Sequence, residues 1–547
     1  MKRFTLLFAI CGLCFSKLFS QCVEPTEKKV LLVGDSWAFF MNSEATINNV
    51  FKTWGHSNYK FVSNASLSIS GAQTDDFMTP ASEAEILNQL TLNPTINVVH
   101  LSIGGNDFLG DWNVSNTQGQ TDTLFDNVFQ RLDSIIRYIK SCKPGIHIVY
   151  SGYVYPNFAE TIHDVAPFET QHPFYGTWDG MEKPTYIQIN TILNQVCERM
   201  DSVANADPQL EFFKCPGLMQ YLHGQTSPLT LQPPTGTYAA FTVPMPYGDP
   251  NFPSPKSTMR DYGIAKDCYH LSTQGYKDLV GYSTQKFYHK FLMDDLYLLS
   301  DHSAQTGTVS STGNTDTSLY MGEASGEQFA TVLSFNTTAM ADTTLRKASL
   351  FLRRKALTGT NPISGSIQVK IKSGNFGATA DVEPADFTAV EDASGNPCLF
   401  GSNTGDGDWI RLDLPVSMFS HISHSATTQF IVSAPGATGG KVQFNNSADA
   451  ELAPVLNLAY GQTPSAVNEI NAAKEFYIYP NPTNGLLTIE TGGENITHLE
   501  LTNLLGQVVL QPAMVQNTVN VSALAAGVYM LNITTKNGKT SQRVVKE

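Results

Sequence analysis

The sequence predicts an α/β unit, a parallel sheet covered by helices on both faces, followed by two all-β sandwich modules. Three observations carry this. From residue 29 to about residue 300, short apolar runs alternate with stretches whose apolar residues recur every three or four positions. Beyond residue 300 the helical spacing stops, and short alternating runs are split by Gly, Asn, Asp and Ser. At 547 residues the chain is too long for one ordinary core.

The first 20 residues read as a secretory signal. Lys2 and Arg3 form its positive end and Phe4 to Phe15 its apolar core, with cleavage expected near Ser20 and Gln21. No later stretch has the roughly 18 consecutive apolar residues of a spanning helix, so no transmembrane segment is expected in the mature chain. Beyond the signal lie Cys22, Cys142, Cys197, Cys215, Cys268 and Cys398, whose spacings fix no disulfide pattern and include no CxxC zinc signature. Asp plus Glu (49) exceed Lys plus Arg (34), a net charge of -15 that argues against a nucleic-acid partner.

Residues 21–300 form the expected α/β unit. "KKVLLVGDS" is a β-rich run, and "INVVHLSIGGND" a second. Phe125, Val128, Leu132, Ile135 and Ile139 then mark an amphipathic helix closed by Pro144-Gly145. "IHIVYSGY" is another strand, Ile189 to Val203 another helix, and "LEFFKC" a further strand. Residues 154–185 and 216–262, rich in Pro, Gly and aromatics, read as long loops that either wall a substrate or decorate the surface. Residues 301–461 read as a β-sandwich, 462–474 as a linker, and 475–547 as a second β-module.

Gly34-Asp35-Ser36 alone is a weak signal, because turns favour all three residues. Its position between a strand end and a helix start places Ser36 at the carboxyl edge of a parallel sheet, where α/β enzymes put reacting groups. A nucleophilic serine also needs a base, a group that orients the base, and donors for an oxyanion. "NASLSISGAQTDDF" offers the backbone N–H of Gly71, and "SIGGNDF" offers the amide of Asn106. "KDCYHLSTQGY" places Asp267 three residues before His270, which on one helical turn would share a face.

In this order the four stretches resemble the SGNH hydrolases, also called the GDSL esterase and lipase family, over about residues 29–300. The resemblance implies a three-layer α/β/α sandwich. It implies Ser36 as nucleophile, His270 as base and Asp267 as its orienting acid. The oxyanion hole would be the N–H groups of Ser36 and Gly71 with the Asn106 side chain. No cofactor and no metal is implied. Trp37 stands where Leu commonly follows the serine, and is expected to narrow the substrate entrance or stack on substrate. Cys268, inside the acid–base motif, is expected as a small packed residue, with a disulfide to the neighbouring loop as the alternative.

"FYIYPNPTNGLLTIE" and "LAAGVYMLNITTKNGKTSQRVVKE" resemble the type A C-terminal sorting domain of the type IX secretion system of Bacteroidetes. The matching parts are Tyr479-Pro480-Asn481-Pro482, Gly485, Leu505-Gly506, Gly527-Val528-Tyr529 and Lys546. This implies the type IX machinery as partner, export through the outer membrane, and release or attachment at the cell surface. The middle module more loosely resembles sandwich domains that accompany secreted polysaccharide-degrading enzymes. It would bind carbohydrate through exposed aromatics or act as a spacer. Trp409 is its only tryptophan, and Phe329, Phe335, Phe351 and Phe430 sit in core-like runs. The combination suggests a secreted serine esterase, foremost on acetyl esters of polysaccharide. Lipid or short-chain acyl esters are the alternative, and a non-catalytic surface adhesin or glycan-binding protein on the same scaffold is the reading of another class.

Overall fold

The computed structural model describes residues 25–232, 235–301, 304–341, 344–401, 405–461, 477–490, 495–503, 507–512, 518–535 and 538–547. The expected signal, the linker 462–474 and the Leu505-Gly506 pair lie outside these residues.

Five strands form one parallel sheet: β1 (Glu27–Gly34), β2 (Tyr59–Val62), β3 (Val98–Ser102), β4 (His147–Ser151) and β5 (Leu210–Phe213). Their order is β2-β1-β3-β4-β5, so the winding direction reverses between β1 and β3. The helices are α1 (Ser36–Ser43), α2 (Thr46–Thr53), α3 (Pro80–Leu92), α4 (Gly105–Asp111), α5 (Gln118–Cys142), α6 (Phe158–Ile162), α7 (Tyr175–Gly180), α8 (Tyr186–Asn205), α9 (Leu218–His223) and α10 (Thr273–Ser283). Alternate strand residues serve opposite faces. Val30, Leu32, Val98, Val149 and Phe213 pack against α1, α2, α9 and α10. Leu31, Val33, Val99, Ile148 and Phe212 pack against α3, α5 and α8. The three expected layers follow.

Capping sets where the long helices begin. Thr117 and Gln120 close a capping box at the start of α5, and Thr185 and Gln188 one at α8. The stretches expected as bare loops are partly ordered, the first into α6 and α7 and the second into α9 and a strand, β6 (Met259–Tyr262). That strand pairs antiparallel with β7 (Ala265–Leu271).

Beyond the α/β layers the strands pair antiparallel. The long strand Leu345–Gly359 belongs to two sheets: it pairs with Trp409–Asp413 and Val455–Tyr460 in one and with Gly440–Phe444 in the other. Leu350, Leu352, Ile410, Leu412, Phe335 and Phe430 fill the core between them. The expected boundary at residue 300 falls within a single compact unit that extends to Tyr460. A strand ahead of that boundary, β8 (Leu296–Leu299), pairs with Val455–Tyr460. Trp54 stacks on Trp409 at 5.5 Å, and both share a core with Phe351 and Val455. Arg411, 1 % exposed, donates to the Asn58 side chain at 3.1 Å and pairs with Asp413 at 2.9 Å.

The second unit holds two antiparallel sheets with Leu487, Ile489, Leu501, Leu531 and Val544 between them. Its Tyr479-Pro480-Asn481-Pro482 stretch is fastened to the final strand: the Val545 N–H donates to Asn481 Oδ1 at 2.8 Å, and the Thr483 N–H to the Val545 carbonyl at 2.8 Å.

Candidate active site

β1 ends at Gly34, where φ is +154° and a Cβ would lie 1.9 Å from the Ser102 carbonyl oxygen of β3. Only glycine permits that approach. The Asp35 N–H then donates to the same carbonyl at 2.8 Å, and the Asp35 carboxylate caps α1 by accepting the Trp37 N–H at 2.9 Å. Ser36 is thereby the first residue of a helix at the point where strand order reverses, the crevice in which open α/β sheets bind ligands.

His270 Nε2 lies 2.7 Å from Ser36 Oγ, and its Nδ1 lies 2.8 Å from Asp267 Oδ2. All three residues are buried, with Asp267 the most enclosed. Asp267 and His270 are not on a helical turn, as their spacing suggested, but in a bulge of β7. Between paired positions β6 advances from 259 to 261 while β7 advances from 266 to 271. The surplus residues loop out, and Asp267 Oδ1 closes the bend by accepting the N–H groups of Tyr269 and His270, both at 2.9 Å. A flat strand would send positions three apart to opposite faces. The bulge turns carboxylate and ring toward each other.

Gly71 sits on a loop hung from the end of β1: the Gly34 N–H donates to the Leu67 carbonyl at 2.8 Å, and the Ile69 N–H to the Gly34 carbonyl at 2.9 Å. Its φ is +84°, and a Cβ there would meet nothing. Asn106 is the second residue of α4, after β3. One hydrogen of its Nδ2 is spent on the Ala72 carbonyl at 2.8 Å, which ties the two loops and fixes the direction of the other. Buried Asp107 reinforces the tie by accepting Thr74 Oγ1 at 2.6 Å and Arg131 Nη1 at 3.0 Å. Burial holds its carboxyl above the usual range.

Sequence reasoning missed a second role for Asp35. Its Oδ2 accepts the Tyr153 hydroxyl at 2.5 Å, and that hydroxyl oxygen accepts the Gly105 N–H at 3.2 Å. Burial raises the Asp35 carboxyl to about 6, against the pull of the Tyr153 hydrogen bond. The only signal was the tyrosine-rich "GYVYP" after β4.

Trp37 lines the cavity beside Ser36. It is 2 % exposed and packs edge-on to Tyr153 at 4.9 Å and Tyr276 at 5.5 Å. The aromatics around the exposed side of the site are Phe40, Phe174 and Tyr269, with ring centroids 5.0, 6.0 and 4.6 Å from that of His270. Cys268 is a free, buried thiol 3.1 Å from Thr161 Oγ1, and Cys142, Cys197 and Cys215 are also free. Cys398 is disulfide-bonded.

Behind Ser36 and Trp37 a cavity of about 100 Å³ extends between α5 and α8. The stretch 154–185 contributes Val154, Pro156 and Met181 to its wall, while residues 216–262 contribute none. Among the described residues no group of three or more His, Cys, Asp or Glu side chains could hold a metal ion, and no helix is long and apolar enough to cross a membrane.

Residues 477–547 match the family model described as a secretion system C-terminal sorting domain. Such a domain marks a chain for export by the type IX machinery to the cell surface or beyond. No curated relative matches the chain. Among solved structures, it is similar to a family 3 carbohydrate esterase of Clostridium thermocellum, with 17% identity and a TM-score of 0.27 over 49% of this chain and 99% of the other. It is also similar to a GDSL-like lipase of Bacteroides thetaiotaomicron, with 15% identity and a TM-score of 0.27 over 48% and 89%. A family 3 carbohydrate esterase of Talaromyces cellulolyticus matches with 11% identity and a TM-score of 0.29 over 48% and 98%.

Proposed function

We propose that this exported chain, an SGNH-type α/β unit ahead of a sorting domain, is a carboxylic ester hydrolase that works through Ser36. One observation carries the reading: the continuous line from Ser36 Oγ through His270 to Asp267, at the reversal point of the sheet. His270 carries its proton on Nδ1, toward Asp267, which leaves Nε2 free to accept the serine proton. Ser36 Oγ attacks the ester carbonyl carbon as that proton moves to Nε2. The negative oxygen of the tetrahedral intermediate is met by the N–H groups of Ser36 and Gly71 and the free Asn106 amide hydrogen. The intermediate collapses to an acyl-Ser36 ester, and the alcohol leaves with the proton from His270. Water then attacks the acyl carbon, giving its proton to Nε2; the second intermediate collapses by breaking the bond to Oγ, which takes that proton back, and the acid departs.

The polysaccharide acetyl-ester reading rests on the modular build. It loses one support, because Trp409 is fully buried against Trp54 and unavailable as a sugar platform. The second reading, an ester with a longer acyl group, gains support from the apolar cavity beside the nucleophile. A non-catalytic adhesin would need neither the aligned triad nor the cavity. The test is hydrolysis of a chromogenic acetyl ester by the wild type and by Ser36→Ala. Loss of at least about 1,000-fold is expected. Equal rates, or no activity in either protein, would overturn the reading.

A further inference from the structure

This inference rests on the ester-hydrolase reading and names the acyl group it takes. We propose that the cavity behind Ser36 seats a hydrocarbon acyl chain between α5 and α8, with the ester carbonyl at Ser36.

Helices that connect parallel strands run back from the carboxyl edge of the sheet, so later residues of α5 and α8 lie farther from Ser36. The cavity wall includes Val128 and then Leu132 on α5, and Ile189, Leu193 and Val196 on α8. From Ile189 to Cys197, the last wall residue on α8, the helix rises about 12 Å, a depth far beyond an acetyl group. Leu193 and Val196 line this cavity and are only half-buried. An apolar cavity of about 150 Å³ stays dry and takes up benzene, and this one, at about 100 Å³, has room for a short run of methylenes.

Apart from the Asn106 amide hydrogen that serves the oxyanion, several polar wall groups near the mouth are already engaged. Asp35 is held by Tyr153, Asn106 by Ala72, and the Tyr150 hydroxyl donates to the Ile103 carbonyl. A sugar hydroxyl carried past them, among Val128, Leu132, Leu193 and Val196, would lose its water against apolar side chains, which is costly. Each buried methylene should instead raise kcat/KM about fourfold until the cavity is full.

The test uses p-nitrophenyl acetate, hexanoate and decanoate with the full chain and with Val196→Trp. Leu193→Phe is the substitute if circular dichroism shows that Val196→Trp does not fold. The wild type should prefer hexanoate to acetate, with no further gain at decanoate, and the filled cavity should lower the hexanoate-to-acetate ratio of kcat/KM at least tenfold. A catalysis-free arm measures hexanoate binding to Ser36→Ala by calorimetry, with and without the cavity-filling change. Preference for acetate, with a ratio indifferent to either substitution, would overturn the acyl seat. If no ester is hydrolysed the esterase reading falls, and the calorimetry still decides the cavity. Binding lost on filling supports the seat, and no binding by Ser36→Ala overturns it.

Discussion

The two faces of the five-stranded sheet start from the same alternating strands and end differently. On one face, Val30 and Leu32 open into a core that runs through α1, α2 and α10 and on through Trp54, Phe351 and Trp409 into the β-sandwich. It is filled so completely that His56 and His289 are enclosed within it, 3.2 Å apart. On the other face, Leu31 and Val33 open toward α3, α5 and α8, and there the packing stops short of closing. The closed face holds β1 and α1, and with them Ser36, in one geometry. The open face leaves room beside that serine. A nucleophile needs both, a rigid mount and an adjoining space, and the sheet supplies one on each side.

The strongest way to break this contrast is Trp409→Ala. It should cost about 3–5 kcal/mol, read from urea unfolding, with the α/β layers and the sandwich losing stability together. Independent transitions for the two would refute the shared core. The Asp35 carboxyl, next to Ser36, gives the second largest effect. Burial raises it from the ordinary 3.8 to about 6, so between these values the folded state keeps a proton that the unfolded state has released. Its contribution is full below the lower value and is lost as pH rises through the upper one, by up to about 3 kcal/mol. Asp35→Asn should flatten the fall of the urea midpoint across that window, and an unchanged slope would assign it to other groups.

Asn106→Ala should behave as the mirror image of Trp409→Ala. Turnover should drop about 100-fold or more while the unfolding midpoint hardly moves. A rise in KM with turnover unchanged would remove Asn106 from the transition state. The smallest effect is expected from Leu193→Ala on the open face, under about 2 kcal/mol, because that side chain already borders empty space. A loss equal to that of Trp409→Ala would erase the difference between the faces.

Where the sequence was legible, a periodic pattern met a capping or turn signal. β1, β3, β4, β5, α5 and α8 stand where apolar periodicity placed them, and Ser36, Asp267 and His270 come together as the motifs implied. β2 escaped notice because four residues show no period. The three-residue spacing of Asp267 and His270 fits both a helical turn and a bulge, and only strand pairing separates them. Trp37 and Trp409 look alike as exposed platforms or core, since composition does not say which way a ring points. The cavity is an absence of atoms, and no local pattern encodes it.

The pairing of β8 with Val455–Tyr460 has a consequence for the order of events as the chain folds. Asn457 Nδ2 reaches the Leu296 carbonyl across 161 residues of sequence, so this edge is among the last that a growing or threading chain can form. Val455, which helps cover the closed face, arrives with it. Until residue 460 has emerged, an N-terminus-first chain has a serine motif and most of a sheet but no lid on that sheet's aromatic side. The sorting domain follows later in the chain, at residues 477–547, so the export signal is completed only after the last piece needed to finish the cargo.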